Sequence, residues 1–181
     1  MAGMHRLPVM GPAPEWDVSE WLGPEPPSLT VAGLRGRVVV IEAFQMLCPG
    51  CVSHGLPLAR KVHSVLGDEV VVLGLHTVFE HHEAMTPVSL KAFLHEYRIT
   101  FPVGVDRAQG RGTPVTMQRY GLQGTPSMII IDKSGQLRTV AFGQVDEVSL
   151  GVQLGLLLAE PDHDPEPEPE PGEAAEVPPD R

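Results

Sequence analysis

Two short runs constrain the fold most: "RVVVIEAF" (Arg37–Phe44) and "EVVVLGLH" (Glu69–His76). Each is β-branched and almost unbrokenly apolar, so each has to be covered on both faces, the condition of a strand inside a helix-layered sheet. Between them Leu58, Val62, Val65 and Leu66 recur at the spacing of one helical face, and Gly67-Asp68 closes that helix. Strand, helix and strand over this length predict a parallel βαβ unit with a right-handed crossover.

The rest of the chain extends this pattern. "TPVSLKAFLHEY" predicts a second helix, with Thr86 as N-cap, Pro87 in the first helical position and a stripe of Leu90, Phe93, Leu94 and Tyr97. "TFPVGVD" reads as a short strand and "TPVTMQRY" as a short helix closed by Gly121. "SMIIID" and "LRTVAFG" flank the turn signal "KSG" and predict an antiparallel hairpin. Asp146 caps a last helix running to Leu158, and "SLTVAGLRG" near the front is expected to add a short strand. The fold class is therefore α/β: a mixed central sheet with helices on both faces and a short N-terminal strand extension.

Composition sets the boundaries. At 181 residues the chain suits one domain, expected over 16–158, with a flexible segment at 1–15. Residues 159–181 are rich in Pro and Glu and nearly free of large apolar side chains, so they are expected to form a disordered acidic tail. From Glu160 to Arg181 nine acidic residues face one basic residue, which leaves the other 159 residues with a net charge of only −2. A body so close to neutral argues against nucleic-acid and anionic-membrane partners. No apolar run reaches the length of a membrane span, and the first residues lack the apolar core of a secretory signal, so a cytoplasmic location is expected.

The two cysteines, Cys48 and Cys51, follow directly on the first buried run, in "FQMLCPGCVSHG". They sit where a strand gives way to a helix, and a first helical turn presents unpaired N–H groups and a partial positive charge that favour a thiolate. Cys48 lies at or before that turn and is expected to attack; Cys51, one turn further in, is expected to resolve. Haem attachment would call for a His after the second cysteine, where Val52 stands. A structural zinc site needs four ligands, and no second cysteine pair exists, although histidines could complete one. No cofactor is expected. Glu42 is a carboxylate within the apolar strand, six positions before Cys48. Buried there without a partner, its pKa rises and it can exchange a proton with Cys51; on an edge strand it would simply reach water.

"VVVIEAFQMLCPGC" and "YGLQGTPSMIIIDKSGQ", in that order, resemble the thioredoxin superfamily in its TlpA/ResA-like and DipZ-like branch, over most of Trp16 to Leu158. The resemblance implies a thiol–disulfide oxidoreductase acting on a disulfide-bearing protein or small thiol, served by an upstream reductant. In a reducing cytosol it would run towards substrate reduction. It also implies a cis peptide at Thr125-Pro126 beside the dithiol, with the Thr125 backbone pairing to substrate and Pro126 shielding the sulfurs. Leu47 and Pro49 are expected near the substrate, and His76, in a strand-end G-x-H pattern, either beside the dithiol, tuning it or contacting substrate, or as a structural histidine hydrogen-bonded in a loop. His54 is expected on the exposed helix surface, and His81 and His82 in a polar loop. Three features depart from the family pattern: Leu47 replaces a frequent Trp, Pro-Gly reverses thioredoxin's Gly-Pro, and Pro57 comes six rather than five residues after Cys51. Two other functions stay open. A peroxiredoxin-like thiol peroxidase shares the fold, but Gln45 stands where its Thr or Ser would be; a metal-binding or interaction module would use the cysteines and nearby histidines.

Overall fold

The computed structural model describes residues 7–24 and 29–161. In chain order its strands are β1 (Gly11–Pro12), β2 (Val18–Leu22), β3 (Val38–Phe44), β4 (Val70–His76), β5 (Val103–Asp106), β6 (Ser127–Ile131) and β7 (Gln136–Phe142). The helices are α1 (Leu56–Leu66), α2 (Pro87–Glu96), α3 (Val115–Arg119) and α4 (Glu147–Ala159). All seven strands form one sheet in the order β1-β7-β6-β3-β4-β5-β2.

The two apolar runs, β3 and β4, lie side by side and parallel at its centre, and β5 continues the parallel set. Because β3, β4 and β5 step across the sheet in one direction, a constant crossover hand puts α1 and α2 on the same face. Residues of α1, α2 and α4 accordingly share one core with Val38, Val40 and Phe44. Val39, Ile41 and Ala43 point to the other face, where Met117 of α3, Trp16 and Leu34 cover them. Every residue of β3 is buried, as its composition requires. The hairpin expected around the Lys133 turn is β6–β7, antiparallel.

The helix ends follow their sequence signals. The Thr86 hydroxyl accepts from the Ser89 amide, and the Asp146 carboxylate accepts from the Ser149 amide. Along α1 the buried face is centred on Leu56, Ala59 and Val62; Val65, expected within it, falls on its outer edge and is 72% exposed. On α2, Leu90 and Leu94 are buried, while Phe93 stacks between Phe44 and the exposed Tyr97.

The front of the chain differs from expectation. Residues 29–36, the described part of the stretch expected as a strand, form no strand but a 3-10 turn at Ala32–Leu34. Its amides are satisfied locally and at long range: Gly33 donates to the Thr30 hydroxyl, and Val31 and Ala32 donate to the Glu15 carboxylate. The strand extension comes from earlier residues, β2 closing the β5 edge and β1 closing the β7 edge. Residues 7–15, expected to be loose, are thus tied down; Met10 donates to Leu137 O, Ala13 donates to Gly135 O, and the Arg138 guanidinium donates to Leu7 O and Pro8 O. Both outer edges of the sheet are blunted by two short strands, a common protection against edge-to-edge association. Residues 1–6 and the acidic tail from 162 onward lie outside the described residues.

Candidate active site

At the carboxyl end of β3 the chain turns through Gln45–Leu47 and presents Cys48, whose amide donates to Gln45 O at 3.2 Å. Cys48 is half-buried and Cys51 fully buried, both as free thiols. The Cys51 amide donates to Cys48 Sγ at 3.3 Å, so an unpaired N–H of the first turn is aimed at the outer sulfur. Cys48 Sγ in turn donates to Thr125 O at 3.5 Å. The Thr125–Pro126 peptide is cis, and Pro126 O accepts from the Gly143 amide at 2.8 Å, which pins this loop to the end of β7.

The departure at Pro57 has a structural form. Cys51–Gly55 is a π-helical turn in which the Leu56 amide donates to Cys51 O, five residues back, and α1 begins immediately after it. The one-residue offset is absorbed as one wider turn. Two glycines let this turn meet the cis-proline loop. A Cβ on Gly50 would stand 3.2 Å from Pro126 Cδ, and one on Gly55 would stand 3.0 Å from Pro126 Cβ.

Glu42 lies on β3 between β4 and β6, opposite Gly74 and Met128, so it is on a central strand and not at an edge. It is 1% exposed, and its Oε1 has no hydrogen-bond partner. Burial, with a smaller push from the Cys48 sulfur, holds its carboxyl pKa well above the usual range. The Cys51 thiol is pushed up to about 12, chiefly by burial and then by its hydrogen bond with Cys48. A cavity of about 140 Å³ opens beside Glu42 and Gly55, bounded by His54, Met128 and the Lys61–Glu147 ion pair. The Glu42 carboxyl meets at Gly55 the turn that begins with Cys51, so the inner sulfur, which must lose a proton, and a carboxyl able to carry one border the same turn.

The sequence-named residues divide clearly. Cys48, Cys51, Thr125 and Pro126 meet, with Leu47 (58% exposed) and the exposed Pro49 on the outer surface of the same turn. His76 does not join them at the surface. It is 1% exposed, its ring tilted against Phe44 at 5.3 Å, and burial lowers its pKa to about 4. A side chain covered on all sides has no face to offer a substrate, so its expected place beside substrate is corrected to one in the core. Exposed His54 bonds to Ser53, and His81 and His82 lie in the loop after β4. Among the described residues, no three His, Cys, Asp or Glu side chains are grouped to hold a metal ion. The Gln45 side chain is engaged by the loop after β4, accepting from the Phe79 amide and donating to Glu80.

Two residues escaped the sequence reading. Gly55 gives no signal beyond being a glycine after the cysteines. Phe142 ends β7, opposite Ser127, and its ring lies where a Cβ on Gly124 would come within 2.9 Å of it. It is 60% exposed, an aromatic surface next to the Thr125 loop. An aromatic residue at the end of a hairpin strand was the one available hint.

A family model described as the AhpC/TSA family matches residues 10–140. Among solved structures, a thioredoxin-like superfamily protein is similar at 58% identity, covering 84% of this chain and 99% of its own, with a TM-score of 0.81. A thiol-disulfide isomerase from Corynebacterium glutamicum is similar at 51% identity over 84% of this chain and 99% of its own, with a TM-score of 0.79. A putative thiol:disulfide interchange protein DsbE from Chlorobium tepidum, 20% identical over 85% of this chain and all 100% of its own, shares the fold at a TM-score of 0.64. No curated protein matches.

Proposed function

Because this chain belongs to the AhpC/TSA family and is a TlpA/ResA-like thiol–disulfide oxidoreductase of the thioredoxin superfamily, we propose that Cys48 is its nucleophile, Cys51 its resolving thiol and Glu42 the proton carrier between Cys51 and water. One observation carries the assignment. The half-buried Cys48 Sγ receives the Cys51 amide and touches Thr125 O, while Cys51 lies wholly buried behind it.

In the reducing direction the Cys48 thiolate attacks one sulfur of a substrate disulfide. A Cys48–substrate disulfide forms, and the second substrate sulfur leaves as a thiolate and takes a proton. Glu42, once it has passed its own proton to water, takes the Cys51 proton, and Cys51 attacks Cys48 Sγ, releasing the first substrate sulfur. Two electrons pass to the substrate, and the protein ends as the Cys48–Cys51 disulfide, to be restored by an external dithiol. In a reducing cytosol the dithiol is the resting form, which favours this direction. The substrate is an extended polypeptide disulfide, its backbone along Thr125 and its apolar side chains between Leu47 and Phe142.

The test is reduction of a protein disulfide by wild type, Cys48→Ser and Cys51→Ser. Loss of turnover in the first and a trapped mixed disulfide on Cys48 in the second are expected. A Cys48→Ser protein as fast as wild type would reject the assignment. The direction is read separately, by alkylating the cysteines in cells: a dithiol found mostly oxidised would reverse it.

A further inference from the structure

The wide turn after Cys51 brings the chain back to the sheet four residues later. Cys51 and Gly55 are its two buried residues. Facing them from β3 is Glu42, on the same face as Val40 and Phe44 and fixed by its strand pairing to Gly74 and Met128. The fit is closer than any side chain at 55 would permit. A Cβ there would lie 2.1 Å from Glu42 Oε1 and 2.9 Å from Cδ, besides its 3.0 Å approach to Pro126. Gly55 has an ordinary helical φ of −61°, so its backbone conformation does not require glycine. What requires it is the carboxyl lying on its Cα.

We propose that Gly55 is a positioning residue that seats the Glu42 carboxyl against the dithiol turn, in reach of Cys51, and keeps it out of the adjoining cavity. The proposal rests on the reading of Glu42 as the proton carrier for Cys51. Filling the seat drives the carboxyl towards open space that it borders, the cavity of about 140 Å³. There it meets water, His54 from the turn, Lys61 from α1 and Glu147 from α4; β6 presents only Met128. Hydration favours the carboxylate there, the Lys61 and Glu147 charges largely offset each other as an ion pair, and the Cys48 sulfur that disfavours it becomes more distant. The displaced group titrates lower and no longer takes the Cys51 proton directly.

The experiment is the pH profile of disulfide reduction for wild type, Glu42→Gln, Glu42→Asp, Gly55→Ala and the Gly55→Ala/Glu42→Asp pair, with thermal unfolding of each. Gly55→Ala is expected to move the Glu42 limb to lower pH and to slow turnover at neutral pH by about tenfold, less than loss of the proton carrier itself would cost. Aspartate is one methylene shorter and withdraws from the seat. In the Glu42→Asp background, Gly55→Ala is therefore expected to cost less than about twofold in rate, and to recover melting temperature lost in the single variant. If Gly55→Ala alone fails to fold, recovery of a folded protein in the pair supports the steric link, and failure of both overturns it. An equal loss in the two backgrounds would place the effect on the Pro126 contact and overturn the proposal, as would an unmoved limb in Gly55→Ala. A Glu42→Gln protein with the wild-type rate and limb would instead reject the proton-carrier reading beneath it.

Discussion

Replacing Glu42 by Gln is expected to stabilise the reduced protein at neutral pH and to uncover a pH dependence that the native chain conceals. The native fold holds the Glu42 proton because the carboxyl is 1% exposed and Oε1 has no partner. An unfolded chain releases that proton near pH 4.5, the ordinary value. Above that pH the unfolded state binds fewer protons than the native one, so stability falls as pH rises, by about 1.4 kcal/mol per unit, until the native group also ionises. His76 has the opposite sign. Its native pKa is lowered to about 4 from 6.5, so between those values only the unfolded chain takes up a proton, and stability falls as pH drops.

Between about pH 4.5 and 6.5 the two slopes oppose each other and their joint contribution is nearly flat; above that only the Glu42 loss remains. With Gln at 42 the His76 slope stands alone. Stability from these two positions then climbs by about 2 kcal/mol over those two units and levels off. Urea unfolding of both proteins at half-unit steps from pH 4.5 to 7.5, under excess reductant, measures the difference, in which all other groups cancel. The gap between variant and wild type should widen with pH. A constant gap would refute the reasoning, since it would mean that native and unfolded chains release the Glu42 proton together.

Phe142→Ser is expected to lower kcat/KM for a disulfide-bearing protein about tenfold relative to its value for a small disulfide, as fits the loss of one apolar contact of an aromatic ring. A parallel fall on both substrates would remove Phe142 from the docking surface. Arg138 donates to Asp132 at 2.8 Å and Glu160 at 2.7 Å while also holding Leu7 O and Pro8 O. Arg138→Met takes the guanidinium from two carboxylates and is expected to cost about 3–5 kcal/mol by urea unfolding, with faster hydrogen exchange at Met10 and Ala13. Unchanged exchange there would show that β1 holds without it. Peroxide consumption is expected to be slow, because Gln45 puts no hydroxyl beside Cys48; a rate rivalling disulfide exchange would favour the peroxidase alternative.

The elements that were legible are those set by local rules. β3 and β4 could be read because a strand covered on both faces tolerates little but apolar side chains, and α2 and α4 because Thr86 and Asp146 cap them. β1 was not, because Gly11-Pro12 has no strand pattern; it exists through backbone bonds to β7. Residues 29–36 carry Thr30 and Val31 and look strand-like, but the Glu15 carboxylate holds two of their amides in a turn. The cysteine site was legible from position, since a thiol pair between strand and helix meets free amides. Glu42 stayed ambiguous until the strand order was known. His76 was misplaced because a strand-end position does not reveal that Phe44 covers it.

Pro57 ties the legible part of the site to the hidden part. An extra residue before a helix can loop outward or widen the turn. Proline has no N–H, so a regular helix could not have bonded residue 57 to the Ser53 carbonyl in any case. Changing the hydrogen-bond register at that point sacrifices no bond that was available, and the Leu56 amide reaches back to Cys51 O instead. The wider turn then buries Cys51 together with Gly55, and only a glycine at 55 leaves room for the Glu42 carboxyl. The irregular proline spacing, the glycine and the strand carboxylate are therefore one arrangement, in which a change to any member has to be accommodated by the other two.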